Sequence, residues 1–419
     1  MSSVPLRAAT HGPHRVVITG LGVISALGHN ATEFWDALVG CQTGIRPLRS
    51  SLNRIEAAPL RFEHVAEVQG FEPEKYFDPR ELSFMDRFAQ FAVMPAMEAI
   101  RQSGIEWTPE LQERTAVITG SCMGGRGAEE NGYWELFHNH RTRVHPLTIP
   151  LGMSNAGTSH ITMRWGLQGP AYTISTACAS SGHAIGQAFH LVRSGVAPMA
   201  IAGGSEAPLF LGGMKAWEAM RVISRDTCRP FSADRSGLIV GEGGAILVLE
   251  PLEAALARGA TPLAEIVGFG ATADAGHITQ PTATGPARAM QHALADAGIV
   301  PEQVGYINAH GTATEANDRT ETAAIRTVFG AHADAVAVSS SKSMHGHTLG
   351  AAGALEAVAT ILALRSGMLP PTANYTKPDP ACNLDVIPNA AREQAVEYAL
   401  SNSFAFGGLN AVLAFKAWQ

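Results

Sequence analysis

The chain has 419 residues, 46% hydrophobic and only 16% charged, with 43 glycines and a formal net charge of −7. That balance excludes a disordered or coiled-coil chain and points to a compact enzyme with a large core or two fused domains. The negative charge gives no electrostatic reason to bind nucleic acid or an anionic membrane, and an acidic partner would need a local basic patch.

Residues 1–15, "MSSVPLRAATHGPHR", lack the apolar core of a signal peptide and read as a loose tail. "RVVITGLGVIS" reads as a buried strand and glycine turn, followed by a capped helix in "NATEFWDALVG". "MDRFAQFAVMPAMEAIRQSG" has helical apolar spacing and stops at Gly104. "TAVITGSCMGG", "MAIAGGSEA" and "GGAILVLE" are short apolar runs expected to be buried strands. After "PLEAALARGA", strand and helix patterns alternate from "LAEIVGFGATA" to "AVLAF". Such alternation predicts α/β layers. No charge-free apolar run is long enough to span a bilayer. The five cysteines are scattered with no CxxC pair, so reduced thiols in a cytoplasmic setting are expected, without a disulfide framework.

Two segments echo each other. "STACASSGHAIGQAFHLVRSG" runs from a strand end through small residues into a helix closing on Arg193-Ser194-Gly195. "SSSKSMHGHTLGAAGALEAVATILALRSG" repeats the pattern and closes on Arg365-Ser366-Gly367. The echo suggests a duplication, with residues 16–258 and 259–419 as the two halves. A pseudo-twofold packing of the halves would bring Cys178 and His347 together.

Cys178 stands where a strand gives way to a helix, and unpaired N–H groups there would lower a thiol pKa. The alternative is a structural buried cysteine. Other segments weigh against that. "NAHGTATEANDRTE" places His310 at a strand end with Asp318 and Glu321 behind it. "SSSKSMHGHTLGAAGALE" places Lys342 and His347 at another, with Glu356 further along. Strand carboxyl ends are where α/β proteins put their sites. His345-Gly346-His347 raises the question of a metal, but no thiol or carboxylate ligand set stands beside it in sequence, and none is expected.

"TACASSGHAIG", "NAHGTAT", "KSMHGH" and "GHTLGAAGALE" together resemble the β-ketoacyl-acyl-carrier-protein synthases of the thiolase superfamily, nearest the elongating type II condensing enzymes. The resemblance runs from "VVITGLGVISALG" to "SNSFAFGGLNAVLAF". It implies a duplicated α/β fold layered α-β-α-β-α, and condensation of an acyl thioester with malonyl-acyl-carrier protein. By resemblance, Cys178 accepts the acyl group, while His310 and His347 assist decarboxylation. Lys342, paired with Glu356, organises the site. The N–H groups of Cys178 and Phe406 form the oxyanion hole, Phe406 is the gate, and Phe404 and Phe231 wall the site. Thr312 and Thr314 bond the phosphopantetheine arm, His277 and Thr279 lie along the entrance, and Cys122 and Met123 floor the acyl pocket. Asp318 and Glu321 support. No cofactor is implied beyond the phosphopantetheine that the carrier protein brings. A homodimer is implied, with a heterodimer of homologous subunits as the alternative.

Three positions depart from the family pattern: Ala405 replaces the glycine between the gate phenylalanines, Leu409 a threonine, and His345 a threonine. "DPRELSFMDRF" offers only Arg80 and Arg87 for an acidic carrier, leaving Arg225, Arg229 or Arg126 as alternatives. This leaves both primary fatty-acid elongation and a specialised polyketide or aryl polyene pathway open. A non-catalytic chain-length-factor subunit would lack the cysteine present here. A dinucleotide-binding reading of "VVITGLGVIS" fails because Ser25 occupies the third glycine position.

Overall fold

The first strand, β1 (Val16–Ser25), is buried at all ten positions, which suits its uninterrupted run of apolar and small residues. In this computed structural model residues 13–48 and 59–418 are described. Residues 1–12 of the expected tail lie outside them. His14 and Arg15 are tied down: the His14 N–H donates to the Arg193 carbonyl at 2.8 Å, and Arg15 grips Glu265 at 2.9 and 2.6 Å.

Nine further strands complete the sheet: β2 (Ala116–Gly120), β3 (Ala171–Ile174), β4 (Ala200–Glu206), β5 (Gly243–Pro251), β6 (Ala264–Ala273), β7 (Val304–Asn308), β8 (Ala337–Ser339), β9 (Tyr398–Ala405) and β10 (Leu409–Ala417). Their spatial order is β8-β7-β9-β10-β6-β1-β5-β4-β2-β3. Read outward from the centre, one half runs β1-β5-β4-β2-β3 and the other β6-β10-β9-β7-β8. The paths are the same, and so are the senses. β2 pairs in parallel with β3 and β4, as β7 does with β8 and β9, while β5 and β10 are antiparallel to both neighbours. The halves meet through a short antiparallel pairing of Val16–Ile18 with Ala264–Ile266.

Helix α1 (Arg87–Ser103) covers the outer face of β1 and β5. Two helices lie between the half-sheets, α2 (Ser180–Arg193) and, at the equivalent place, α5 (Ala352–Ser366). The remaining outer face carries α3 (Thr284–Ala297), with α4 (Glu315–Phe329) against it. The expected α-β-α-β-α layering is therefore present. The small residues that open the central helices allow backbone contact: a Cβ on Gly353 would meet the Gly182 nitrogen at 2.9 Å and Ser403 Oγ at 2.8 Å. Among the described residues one helix, Leu349–Ser366, is long and apolar enough to cross a membrane, but 83% of it is buried inside the protein. Its all-round apolarity suits a helix with sheet on both sides.

Candidate active site

β3 ends at Ile174, and the chain turns through Thr176, Ala177 and Cys178 into α2. Ala177 has φ +48°, a left-handed conformation that a side chain resists and that bends the chain sharply before the cysteine. In the other half, β7 delivers His310, and β8 leads through a short helix, Lys342–His345, to Gly346 and His347. Gly346 has φ +68°, and a Cβ there would meet the Ala66 side chain at 2.7 Å. Thus a thiol from one half faces imidazoles from the other. His347 Nε2 is 3.1 Å from Cys178 Sγ. The His310 and His347 rings stand 5.4 Å apart, nearly perpendicular.

Lys342 and Glu356 are ion-paired and fully buried. The Lys342 ammonium also donates to the His310 carbonyl at 2.6 Å and lies 3.3 Å from His310 Nδ1. An ammonium has only donors, so it makes His310 Nδ1 the acceptor and leaves the ring proton on Nε2. Glu321 accepts from the His310 and Gly311 N–H groups at 2.9 and 2.8 Å, and from Asn402 at 3.1 Å. Asp318 accepts from Phe231 at 2.7 Å and Ala313 at 3.2 Å. These carboxylates hold the 310–314 turn.

Burial, helped by Lys342, pushes both His310 and His347 well below the usual histidine range, so both rings are neutral at pH 7. Burial also pushes the Cys178 thiol up to about 11, against the opposing pull of Lys342 and of the Phe406 N–H bonded to it. This corrects the expectation of a helix-lowered thiol. The Ala179 and Ser180 N–H groups are already spent on the Thr176 and Ala177 carbonyls. Glu356 is likewise raised by burial, to about 7.

A cleft opens onto Cys178, His310 and His347. Of the other sequence-predicted residues, Thr312, Thr314, His277, Thr279, Phe404 and Phe406 line it. The Phe404 ring stands 6.0 Å from His310. Thr312 and Thr314 share a 2.9 Å hydroxyl contact, and Thr314 caps α4. Phe231 does not wall the cleft: it is fully buried behind Gly311, where a Cβ would meet its ring at 3.0 Å. Cys122 and Met123 also lie outside it. Their N–H groups turn to Glu206 instead, at 3.2 and 3.1 Å, as does the Cys122 thiol at 2.8 Å. Glu206, a buried carboxylate ending β4, was missed by the sequence reading, as was Trp217 on the cleft wall.

Ala405 has an ordinary φ, and the left-handed positions of the gate, Gly407 (+83°) and Gly408 (+68°), have kept their glycines. Leu409 pairs with Ala405 to close the β9–β10 hairpin. His345 turns away from the cleft, bonding Ser341 at 3.0 Å and facing Phe34. Two basic candidates for carrier docking are engaged elsewhere. Arg87 is paired with Glu242 and lies over Phe91, and Arg229 is paired with Asp226 and Asp234. Arg80, Arg126 and Arg225 are exposed.

The sequence argument against a metal does not carry over into space. Cys178, His310 and His347 offer ligand atoms within 4.8 Å of one another. Electrostatics argue against a dication all the same, because the Lys342 ammonium already stands against His310 and the thiol resists ionisation.

Residues 14–255 match the model of the β-ketoacyl synthase N-terminal domain, and residues 263–376 that of the C-terminal domain. Nodulation protein E of Rhizobium sp. (strain N33) is 48% identical over 402 residues, 96% of this chain and 99% of that one. The 3-oxoacyl-[acyl-carrier-protein] synthase 2 of Synechocystis sp. is 42% identical over 413 residues, 97% and 98% of the two chains. The solved ishigamide ketosynthase/chain length factor superposes with a TM-score of 0.92 at 37% identity, over 97% of this chain and 100% of that one. A thiol facing paired neutral imidazoles across a duplicated fold, and matches over both halves, lead to one conclusion: the chain belongs to the β-ketoacyl synthase family of the thiolase superfamily.

Proposed function

We propose that this chain condenses an acyl thioester with malonyl-acyl-carrier protein, with loss of carbon dioxide, to give a 3-oxoacyl-acyl-carrier protein in fatty-acid or polyketide elongation. The observation that carries this reading is the 3.1 Å approach of His347 Nε2 to Cys178 Sγ with the His310 ring beside it.

The sulfur attacks the acyl carbonyl carbon as its proton passes to His347 Nε2. The carrier's phosphopantetheine thiolate leaves and takes that proton. The N–H groups of Cys178 and Phe406 receive the carbonyl oxygen. Malonyl thioester then enters. Its carbon–carboxylate bond breaks, carbon dioxide departs, and the electron pair becomes an enolate whose oxygen accepts the His310 Nε2–H. The enolate carbon attacks the acyl-cysteine carbonyl, and Cys178 leaves as a thiolate that takes one proton from water, the proton that the overall reaction consumes. His347 Nδ1 has no hydrogen-bond partner among the described residues, so its ring can carry the proton on either nitrogen. That freedom suits a group that relays a proton in one half-reaction and helps hold the enolate oxygen in the other. Storing the acyl group on sulfur splits one hard step into two and makes the kinetics ping-pong.

The phosphopantetheine arm, supplied by the carrier, would run past Thr312 and Thr314, with exposed Arg225, Arg126 and Arg80 available to the carrier's acidic surface. Residues 16–258 and 259–419 would be the two domains. A homodimer, or a heterodimer with a homologous subunit, would form across edge strand β3, a reading supported by exposed Tyr172, Ile149 and Met163. The five free cysteines support a cytoplasmic setting.

Intact-mass measurement of wild type and Cys178→Ala with a panel of acyl-carrier proteins, then malonyl-carrier protein, tests the reading. Acyl mass on the wild type only, chased into a longer 3-oxoacyl product, is the expected result. Equal loading of the alanine variant would sink it.

A further inference from the structure

The gate loop belongs to the second half of the chain, yet its ring rests on a residue from the first. Trp217, on helix Leu211–Met220, stacks with Phe406 at 6.3 Å and 26° between planes. Both rings line the cleft that leads to Cys178. The base of Trp217 is seated against a small apolar cluster that includes Met214 and Leu238. Phe406, by contrast, sits at the tip of the β9–β10 hairpin, followed by two glycines in left-handed conformations. One ring is anchored and the other is on a hinge. The same Phe406 residue presents its backbone N–H to the Cys178 sulfur.

We propose that Trp217 is a positioning residue for this reaction: it holds the Phe406 ring so that the Phe406 N–H stays on the sulfur and bulky thioesters must displace the stack to reach Cys178. This rests on the condensing function proposed above. Losing the aromatic face has two opposite consequences. Bulky acyl groups load more readily relative to small ones, because the gate yields. Both acylation and condensation slow for every acyl group, because the oxyanion donor is less well held, an effect that cancels in a ratio of two acyl groups.

The test uses the full chain with acetyl- and long-chain acyl-phosphopantetheine thioesters, reading acylation of Cys178 by intact mass. In Trp217→Leu, which keeps apolar volume over the cluster, the long-chain to acetyl loading ratio rises about 2- to 10-fold, the range expected for an aromatic pair. Trp217→Phe, which can still stack, stays within about 2-fold of wild type. Phe406→Leu produces the same shift, and adding Trp217→Leu to it adds little, because the two residues act through one contact. An unchanged ratio in Trp217→Leu overturns the proposal, as do fully additive effects in the double variant. Should Trp217→Leu fail to fold, the ratio in Phe406→Leu decides alone: no rise overturns the proposal. Failure of the condensing function itself looks different, because then wild-type Cys178 takes up neither acyl group.

Discussion

Replacing Lys342 by methionine should expose how the buried ion pair is balanced. The substitution removes the counter-charge of Glu356, whose second oxygen already has no hydrogen-bond partner among the described residues. It also strips a donor from the His310 carbonyl, at a cost of about 1 kcal/mol. The larger effect depends on pH. In the wild type Glu356 titrates at about 7 because burial raises it while Lys342 pulls it down. Without Lys342 its pKa lies higher still. Above pH 7 the folded variant then keeps a proton that the unfolded chain, titrating near the ordinary 4.5, does not. A folded state that binds the extra proton loses stability as pH rises, by ~1.4 kcal/mol per pH unit. Below about pH 6 folded wild type and variant both hold the proton, so their difference is flat. Between about pH 7 and 8.5 the gap should widen by about 2 kcal/mol. Urea unfolding of both proteins at fixed concentration across this range measures it. Lys342→Met/Glu356→Leu should lose the pH dependence. A gap that stays constant from neutral to mildly alkaline pH would refute the reasoning.

Because the Cys178 thiol is pushed up to about 11, alkylation by iodoacetamide should accelerate roughly tenfold per pH unit between about pH 7 and 9. A plateau below about pH 8 would mean a resting thiolate. His310→Ala should cut condensation by about 10²–10³-fold, the usual loss for one oxyanion donor. It should leave single-turnover acylation of Cys178 nearly intact, and stopped-flow release of carbon dioxide separates the two steps. Gly353→Ala should destabilise the fold by about 1–3 kcal/mol, read as a lowered unfolding midpoint, because the new methyl meets backbone that cannot yield. Ala405→Gly should cost only about 0.4–1 kcal/mol, since Ala405 already sits in an ordinary conformation.

The parts of the site that were legible in sequence are those that local patterns announce. A strand followed by small residues and a helix marks Cys178, and a strand end followed by a glycine marks His310, whereas His347, read as lying at a strand end, stands beyond the short helix Lys342–His345. The echoed helices suggested a duplication, and the strand order of the two halves repeats, though no order was read from the sequence. Trp217 was invisible because its partner Phe406 lies in the other half, and only the tertiary fold joins them. Glu206 looks like any residue ending a buried strand until the 121–123 turn folds its N–H groups onto it. The thiol was misjudged for a related reason. Position at a helix start is readable, but whether the N–H groups there are already spent, and how deeply the sulfur is buried, are properties of the folded turn.

The divided origin of the site bears on how the chain matures. Cys178 comes from the first half to be synthesised, and both imidazoles come from the second. During synthesis the cysteine therefore exists for some 130 residues of chain before His310 follows it. In that interval it lacks the imidazole 3.1 Å from its sulfur, the Phe406 N–H and the ammonium behind His310. The pairing of the thiol with an imidazole is a property of completed assembly, and a truncated or half-docked chain carries the cysteine without it.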